Sequence, residues 1–360
     1  MAQTEERVLM KGNEVLAEAA MRAGCRYFFG YPITPQTELA AYMARMLPKV
    51  GGTFLQAESE IAAINMVYGA AAAGARAMTS SSSPGISLKG EGVSYMAGAD
   101  LPGVIINVER GGPGLGGIQP SQSDYFQATR AMGHGDFYMP VLAPSTVQEM
   151  ADLVYLAFDL ADEYRTPAMI LADGMIGQMM EPIVWREIPK RDLPAKDWAT
   201  TGRHGRSHNN IVNSLYIDPE GCDKHNAHLE EKYALIREKE VRFETRECDD
   251  AELVFTAYGT PARIVLTAME TLRSQGIKVG LFRPITLWPF PEEPLHKLAA
   301  AEHVKIFLDV EMSSSGQMLD DVRLGVEGQK PIRYLGHAGG VMPTVEEMVE
   351  AAKKALKEAE

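Results

Sequence analysis

Apolar residues along this chain recur at helical spacing and then as short unbroken runs, in repeated alternation. Between Asn13 and Ala23 they return every three or four positions and Gly24 follows as a stop, which predicts a helix. The apolar run Tyr27–Phe29 predicts a buried strand, and Gln36–Leu47 the next helix. Thr53–Gln56 then predicts a strand, Glu58–Ala73 an Ala-rich helix closed by Gly74, Arg76–Thr79 a strand and Ile86–Ala97 a helix. Leu101–Val108 is apolar and β-branched without alternation, as in a central strand covered on both faces. Val141–Leu142 and Met169–Ala172 predict further strands on either side of a helix over Thr146–Tyr164. Strands and helices alternating in this way specify an α/β fold with a mostly parallel sheet.

The pattern lapses at about Glu181. From Trp185 to Glu247 the chain is charged, His-bearing and short of periodic apolar residues, and is expected to be a linker or arm lying over a surface and crossing a subunit interface. A second alternation follows. Strands are predicted at Leu253–Ala257, Lys278–Phe282, Lys305–Leu308 and Ile332–Leu335, and helices at Pro261–Gln275, Pro291–Ala301, Gly316–Gly325 and Val345–Lys357. The expected organisation is a first α/β domain over 1–184, a polar arm over 185–247 and a smaller α/β domain over 248–360.

Composition narrows the classes of function. The net charge of −13 offers no basic footprint for nucleic acid. No run is long enough to span a membrane. Met1–Arg7 is polar and carries acids, unlike a secretory or transit leader. Cys25, Cys222 and Cys248 lie far apart, form no disulfide framework and are too few to ligate an iron–sulfur cluster, so the expected compartment is a reducing cytoplasm.

Candidate chemistry gathers where predicted strands end. In Gly30-Tyr31-Pro32-Ile33-Thr34-Pro35 two prolines stop both strand and helix, and Thr34 falls at the carboxyl end of a strand, where open α/β sheets bind ligands. Thr34 either faces such a ligand or caps the helix that follows. Glu58 and Glu60 open a helix, where carboxylates commonly serve as caps, unless one of them turns into a cleft. Arg110 ends the central strand and could hold a carboxylate bidentately, or pair with Glu109 or Asp124. The loop Glu109–Gln122 is long, and Gly111, Gly112, Gly114, Gly116 and Gly117 would let its backbone approach a ligand, although it is no phosphate-binding fingerprint. Ser80–Ser83 precede a helix and could bind an anion or cap. His204, His208, Cys222, His225 and His228 have loose zinc-like spacing, and His134 lies exposed between Gly133 and Gly135.

Six runs taken together carry a family resemblance. They are Gly30-Tyr31-Pro32-Ile33-Thr34-Pro35, Ser59-Glu60, Gly69-Ala70-Ala71-Ala72-Ala73-Gly74, Leu101-Pro102-Gly103-Val104, Arg110-Gly111-Gly112-Pro113 and Arg283-Pro284-Ile285-Thr286-Leu287-Trp288-Pro289-Phe290-Pro291. In family order, and over nearly the whole chain, they resemble the α subunit of 2-oxoacid:ferredoxin oxidoreductases. The resemblance implies a pyrimidine-binding domain of the thiamine-diphosphate type followed by a domain like the transketolase carboxy-terminal one. It makes Glu60, rather than Glu58, the acid beside N1′ of the cofactor's aminopyrimidine. Tyr31, Pro32, Ile33 and Ser83 would line the same cofactor site. Thr34 would hydrogen-bond the substrate carboxylate or the intermediate, and Arg110 would pair with that carboxylate. No metal ligand is assigned to this chain. A diphosphate and Mg²⁺ site usually needs Gly-Asp-Gly followed by Asn; Ala172-Asp173-Gly174 is the only near match and no suitable Asn follows. The chain would therefore hold half of a thiamine diphosphate site. A β subunit would supply Mg²⁺, the diphosphate site and a [4Fe-4S] cluster, with coenzyme A as substrate, ferredoxin as acceptor and separate γ and ferredoxin-like δ subunits.

The run Pro113-Gly114-Leu115-Gly116-Gly117 resembles the branched-chain 2-oxoacid subgroup, with Leu115 as an apolar wall, so 2-oxoisovalerate is the favoured substrate and 2-oxoglutarate the next. A 2-oxoglutarate enzyme needs a second cation, for which Lys89 and Arg130 are the candidates nearest in sequence. Two alternatives stand beside this reading: a β-type subunit of a lipoamide-linked 2-oxoacid dehydrogenase, and a non-catalytic subunit of the same fold.

Overall fold

The computed structural model describes residues 7–130, 132–189 and 191–359, so the polar opening stretch lies, up to residue 6, outside the described residues. The first half runs β1 (Arg7–Lys11), α1 (Gly12–Arg22), β2 (Tyr27–Gly30), α2 (Thr37–Met46), β3 (Thr53–Gln56), α3 (Glu60–Ala72), β4 (Ala77–Ser81) and α4 (Ser83–Gly98). It continues through β5 (Gly103–Glu109), α5 (Tyr125–Thr129), β6 (Val141–Leu142), α6 (Val147–Tyr164), β7 (Pro167–Asp173), α7 (Gly174–Gln178) and β8 (Met180–Val184). The second half holds α8 (Pro219–Lys239), β9 (Phe243–Arg246), β10 (Leu253–Thr256), α9 (Gly259–Ser274), β11 (Val279–Pro284) and β12 (Thr286–Trp288). It closes with α10 (Glu292–Ala299), β13 (Ile306–Glu311), α11 (Met318–Val326), β14 (Ile332–Gly336) and α12 (Val345–Ala359).

A seven-stranded sheet has the order β12-β6-β7-β5-β4-β2-β3 and is parallel throughout except for β12. Its middle strands β4, β5 and β7 are buried at every position, as their unbroken apolar and small sequences require. A five-stranded sheet has the order β14-β13-β10-β11-β9, with β9 as its antiparallel edge. One of its faces joins the main core through Val254, Phe282 and Phe307; the other packs Phe255 and Leu281 under α9 and α12. The two sheets are tied at their carboxyl edges. Gln122 donates to the Tyr258 carbonyl at 3.0 Å, and its carbonyl accepts from Met312 N at 2.9 Å. Arg283 reaches Glu149 at 2.7 Å and Glu244 at 2.6 Å.

The structure departs from the sequence reading in four places. The arm is not irregular throughout, because α8 occupies 21 of its residues. Asp218 caps that helix by accepting from Gly221 N at 2.7 Å, and a narrow stripe of Leu229, Tyr233 and Ile236 is buried while most of the other positions are polar. Tyr233 meets Tyr138 and Trp288 edge-on at 5.6 and 5.8 Å. Ahead of α8 the arm does lie over a surface: Thr200 N donates to Ala72 O at 2.8 Å, at the end of α3. Strands β1 and β8 pair with each other as a small antiparallel ribbon, and β9 adds a polar edge to the second sheet. Finally, β12 leaves the second half of the chain to pair with β6 of the first sheet.

Candidate active site

The carboxyl ends of β2, β4 and β5 and the first turns of α3 and α4 converge on one region. Ser59 caps α3 by accepting from Ala62 N at 3.2 Å, which places Glu60 at the first helical position. Glu60 is buried, whereas Glu58 lies outside the helix and is exposed. The dipole of α3 favours a carboxylate at Glu60, and no hydrogen bond reaches that carboxylate among the described residues. Opposite it stands Gly85, in the first turn of α4. A β-carbon there would sit 2.7 Å from Glu60 Oε1 and would also strike Ser81 Oγ. Glycine at 85 is therefore what leaves room for the acid.

Arg110 is buried at the end of β5 and serves as a staple. One terminal nitrogen donates to the Thr34 carbonyl at 3.1 Å and the other to the Leu115 carbonyl at 2.9 Å, joining the proline loop to the glycine loop. Its Nε is buried and unpaired. It makes no ion pair with Glu109 or Asp124, because both carboxylates are turned to other partners. Asp124 accepts from Asn107 at 2.9 Å, and Glu109 accepts from Asp124 N at 3.0 Å. Thr34 does not cap α2. Its side chain is exposed, and the N-cap position is Gln36. Gln36 is buried and accepts from Ser80 Oγ at 2.7 Å. Tyr31 and Pro32 are exposed and Ile33 is half-buried, so this loop offers side chains outward from the sheet edge.

The serine run divides its work. Ser83 Oγ exchanges hydrogen bonds with the Arg110 backbone at 3.0 and 3.2 Å, bracing α4 against β5. Ser81 Oγ and Ser82 Oγ are buried without hydrogen-bond partners, and Ser81 lies with Glu60 against Gly85. The region thus brings Thr34, Arg110 and Ser83 into direct contact and sets Glu60 and Ser81 against Gly85.

Other candidates lie elsewhere. Asp173 is a structural residue: it accepts from Met175 N and Ile176 N, capping α7, and from Thr260 N and Oγ1 across the sheet junction. Arg130 pairs with Asp321, beside an open groove of 1230 Å³ that also takes in Arg237, Trp288 and Arg323, away from Glu60. Leu115 is exposed at the loop tip. His134 is exposed on a turn whose Gly133 packs on Gly90. His225 stacks on Tyr216 at 4.6 Å, His228 reaches Asp100 at 3.3 Å, and no group of three or more His, Cys, Asp or Glu is arranged to hold a metal among the described residues.

Sequence reasoning missed the seam between α3 and α4. Gly85, Lys89 and Gly92 form one stripe of α4 at spacings of four and three. Gly92 lies against Ile64 of α3, where a β-carbon would stand 2.5 Å from Ile64 Cγ2. Lys89, between the two glycines, is fully buried and donates to the Glu60 carbonyl at 3.5 Å. Burial pushes its ammonium down to about 8, against the attraction of Glu60. The glycine–lysine–glycine spacing is visible in the sequence, but its partner is a residue of another helix.

Residues 18–246 match the family profile described as pyruvate flavodoxin/ferredoxin oxidoreductase, thiamine diphosphate-binding, and residues 251–348 match pyruvate:ferredoxin oxidoreductase core domain II. Fold and profiles place the chain in the class of thiamine-diphosphate-binding α/β proteins. The chain belongs to the 2-oxoacid:ferredoxin oxidoreductase family. It is 48% identical to the ketoisovalerate oxidoreductase subunit VorB of Methanothermobacter thermautotrophicus, over 96% of this chain and 97% of that one. It is 38% identical to the 2-oxoglutarate synthase subunit KorA of Methanothermobacter marburgensis, over 96% and 98%. Among solved structures, the 2-oxoglutarate:ferredoxin oxidoreductase from Magnetococcus marinus superposes with a TM-score of 0.86 at 26% identity. That match covers 98% of this chain, which spans 66% of the solved one. No described helix is long and apolar enough to cross a membrane.

Proposed function

We propose that this chain is the α-type subunit of an enzyme that oxidatively decarboxylates a 2-oxoacid, 2-oxoisovalerate before 2-oxoglutarate, to acyl-CoA and CO₂ with two electrons passed to ferredoxin. The observation that carries this reading is the carboxylate of the buried Glu60, which takes no hydrogen bond among the described residues and faces a glycine that gives it room. That arrangement fits the aminopyrimidine end of thiamine diphosphate, which needs one acid at N1′ and a close wall. The diphosphate end does not fit here, since no metal-holding cluster exists among the described residues and Asp173 is engaged with Thr260. A partner β subunit, carrying the Mg²⁺ and [4Fe-4S] sites, is the complement this half-site requires; γ and δ subunits would complete the electron path. When bound, thiamine diphosphate supplies the electron sink that lets a 2-oxoacid release CO₂.

The residues of this chain have separable roles in that scheme. Glu60 shares a proton with N1′ of the aminopyrimidine and holds the ring in register. Thr34 presents its hydroxyl at the exposed edge of the proline loop, toward the substrate carboxylate. Arg110 fixes that loop to the glycine loop and keeps unpaired N–H groups for the same carboxylate. Ser83 holds the α4 turn in place through the Arg110 backbone, while Tyr31, Pro32 and Ile33 would line the cofactor side.

Two observations support the branched-chain substrate. The VorB relatives are 48 and 49% identical to this chain, against 38% for the KorA relative named above. Lys89 and Arg130, the two cations considered for a distal carboxylate, face Glu60 and Asp321 instead. The test is CoA-dependent viologen reduction by the native complex with 2-oxoisovalerate, 2-oxoglutarate and pyruvate in parallel. The highest kcat/KM is expected for 2-oxoisovalerate, and a preference for either of the others overturns the substrate assignment.

A further inference from the structure

We propose that Lys89 is a positioning residue that keeps Glu60 aimed at the cofactor, acting as a buried cation beneath the first turn of α3. The inference rests on the reading of Glu60 given above and goes beyond it.

A lysine in this seam is an expensive choice. Gly85 and Gly92 are there because α4 runs against α3 with no room for a side chain, and Lys89 lies between them on the same stripe. Side chains of a helix tilt toward its amino end. The long stem of Lys89 therefore runs back toward Gly85 and the first turn of α3, where it finds Glu60. Its one hydrogen bond, to the Glu60 carbonyl, is long at 3.5 Å. A fully buried ammonium with so little solvation is unfavourable unless a charge of opposite sign compensates it.

Glu60 supplies it: among the described residues it is the charge whose attraction on Lys89 opposes the effect of burial. The other charges nearby face elsewhere. Glu91, the acid next along α4, accepts from Tyr95 OH at the surface. From β5 and the loop after it, Arg110 donates to the Thr34 and Leu115 carbonyls, Glu109 accepts from Asp124 N, and Asp124 accepts from Asn107. The Met132–Gly133 turn that packs on Gly90 brings His134, which is exposed. While Lys89 is charged, its attraction and its hydrogen bond to the carbonyl hold Glu60 in place opposite Gly85. Once Lys89 loses its proton, that attraction is gone.

The experiment uses the native complex carrying Lys89→Met, which is neutral and similar in length, and Lys89→Arg, which stays charged at all working pH. For Lys89→Met, kcat with 2-oxoisovalerate is expected to fall by about tenfold or more, the equivalent of about 1.4 kcal/mol, while KM stays within about twofold. The wild-type alkaline limb near pH 8 should vanish in Lys89→Met and move upward in Lys89→Arg, which should retain more kcat than the methionine variant. A second readout needs no cofactor: melting of the isolated chain against pH. The folded value of about 8 lies below the unfolded 10.5, so the penalty of the buried charge is complete below pH 8 and disappears as pH rises to 10.5. Lys89→Met should therefore melt above wild type below pH 8, and that gap should close by about pH 10.5.

A wild-type kcat with an unchanged alkaline limb in Lys89→Met overturns the inference. So does a change confined to KM, which would make Lys89 a substrate contact. So does a melting difference that does not vary with pH. If Glu60→Gln is inactive while the Lys89 variants are silent, only this inference fails; if Glu60→Gln is itself fully active, the reading of the site beneath it fails.

Discussion

Asp173 does structural work in this fold that can be measured. As part of Ala172-Asp173-Gly174 it is the chain's nearest approach to a diphosphate-metal motif. In the fold its carboxylate takes four hydrogen bonds, from Met175 N at 3.0 Å, Ile176 N at 3.2 Å, Thr260 N at 3.0 Å and Thr260 Oγ1 at 2.8 Å. Burial pushes its carboxyl upward, and the bonds from Thr260, Ile176 and Met175 oppose that shift. Asp173→Ala removes a helix cap, a loss of about 1 kcal/mol. It also leaves the buried Thr260 N–H unsatisfied, at a further cost of about 2 kcal/mol. The total of about 3 kcal/mol, divided by the unfolding entropy of a chain this size, lowers the melting temperature by roughly 4 °C. Asp173→Asn keeps the Oδ1 acceptor but turns an amide toward Thr260 N, and should cost about half as much. The assay is differential scanning calorimetry of the isolated chain, together with thiamine diphosphate content and Mg²⁺ dependence of the assembled complex. Both variants should bind cofactor and metal as wild type does. A variant that melts like wild type but loses the cofactor would show that Asp173 is a ligand and that the interdomain clamp is incidental.

Two further outcomes follow from the same geometry. Gly85→Ala puts a methyl 2.7 Å from Glu60 Oε1 and must displace that carboxylate; kcat should fall about a hundredfold while the complex still assembles, and a rate within threefold of wild type would mean that the acid is not held there. Glu109 is pushed well above the ordinary carboxyl range by burial first and then by Asp124, Asp173 and Glu311. Its folded value exceeds its unfolded one, so the stability it contributes is complete below pH 4.5 and is lost as pH rises through the folded value. Glu109→Gln stays neutral and keeps an oxygen for Asp124 N. It should therefore gain little melting temperature over wild type at pH 4.5 and progressively more toward pH 8, whereas a gain independent of pH would refute the buried neutral acid.

The alternation of strands and helices was readable because the parallel strands are buried on both faces and carry unbroken apolar runs. Tyr27–Phe29, Thr53–Gln56 and Leu101–Val108 fall within a residue or two of β2, β3 and β5. Elements that draw their stability from distant partners were not readable. The stripe of α8 is three buried residues in a charged helix, and it becomes informative only once Tyr138 and Trp288 stand opposite Tyr233. The ribbon of β1 and β8 joins segments some 170 residues apart, and β12 is three residues that pair with a strand of the other half. The site divides in the same way. Strand ends and prolines marked Thr34, and the Ala-rich helical spacing over Glu58–Ala73 marked α3, both of which are local signals. That Glu60 is buried while Glu58 is exposed, that Arg110 binds carbonyls rather than acids, and that Lys89 lies under Glu60 are tertiary facts with no local trace.

The most direct test of the account is Glu60→Gln in the native complex purified through this chain. The variant keeps the shape of the side chain and removes the ability to share a proton with the aminopyrimidine. The complex is expected to assemble with its full content of thiamine diphosphate and iron–sulfur clusters, and CoA-dependent viologen reduction with 2-oxoisovalerate should fall by about a hundredfold or more. A fully loaded Glu60→Gln complex that turns over at the wild-type rate would contradict it.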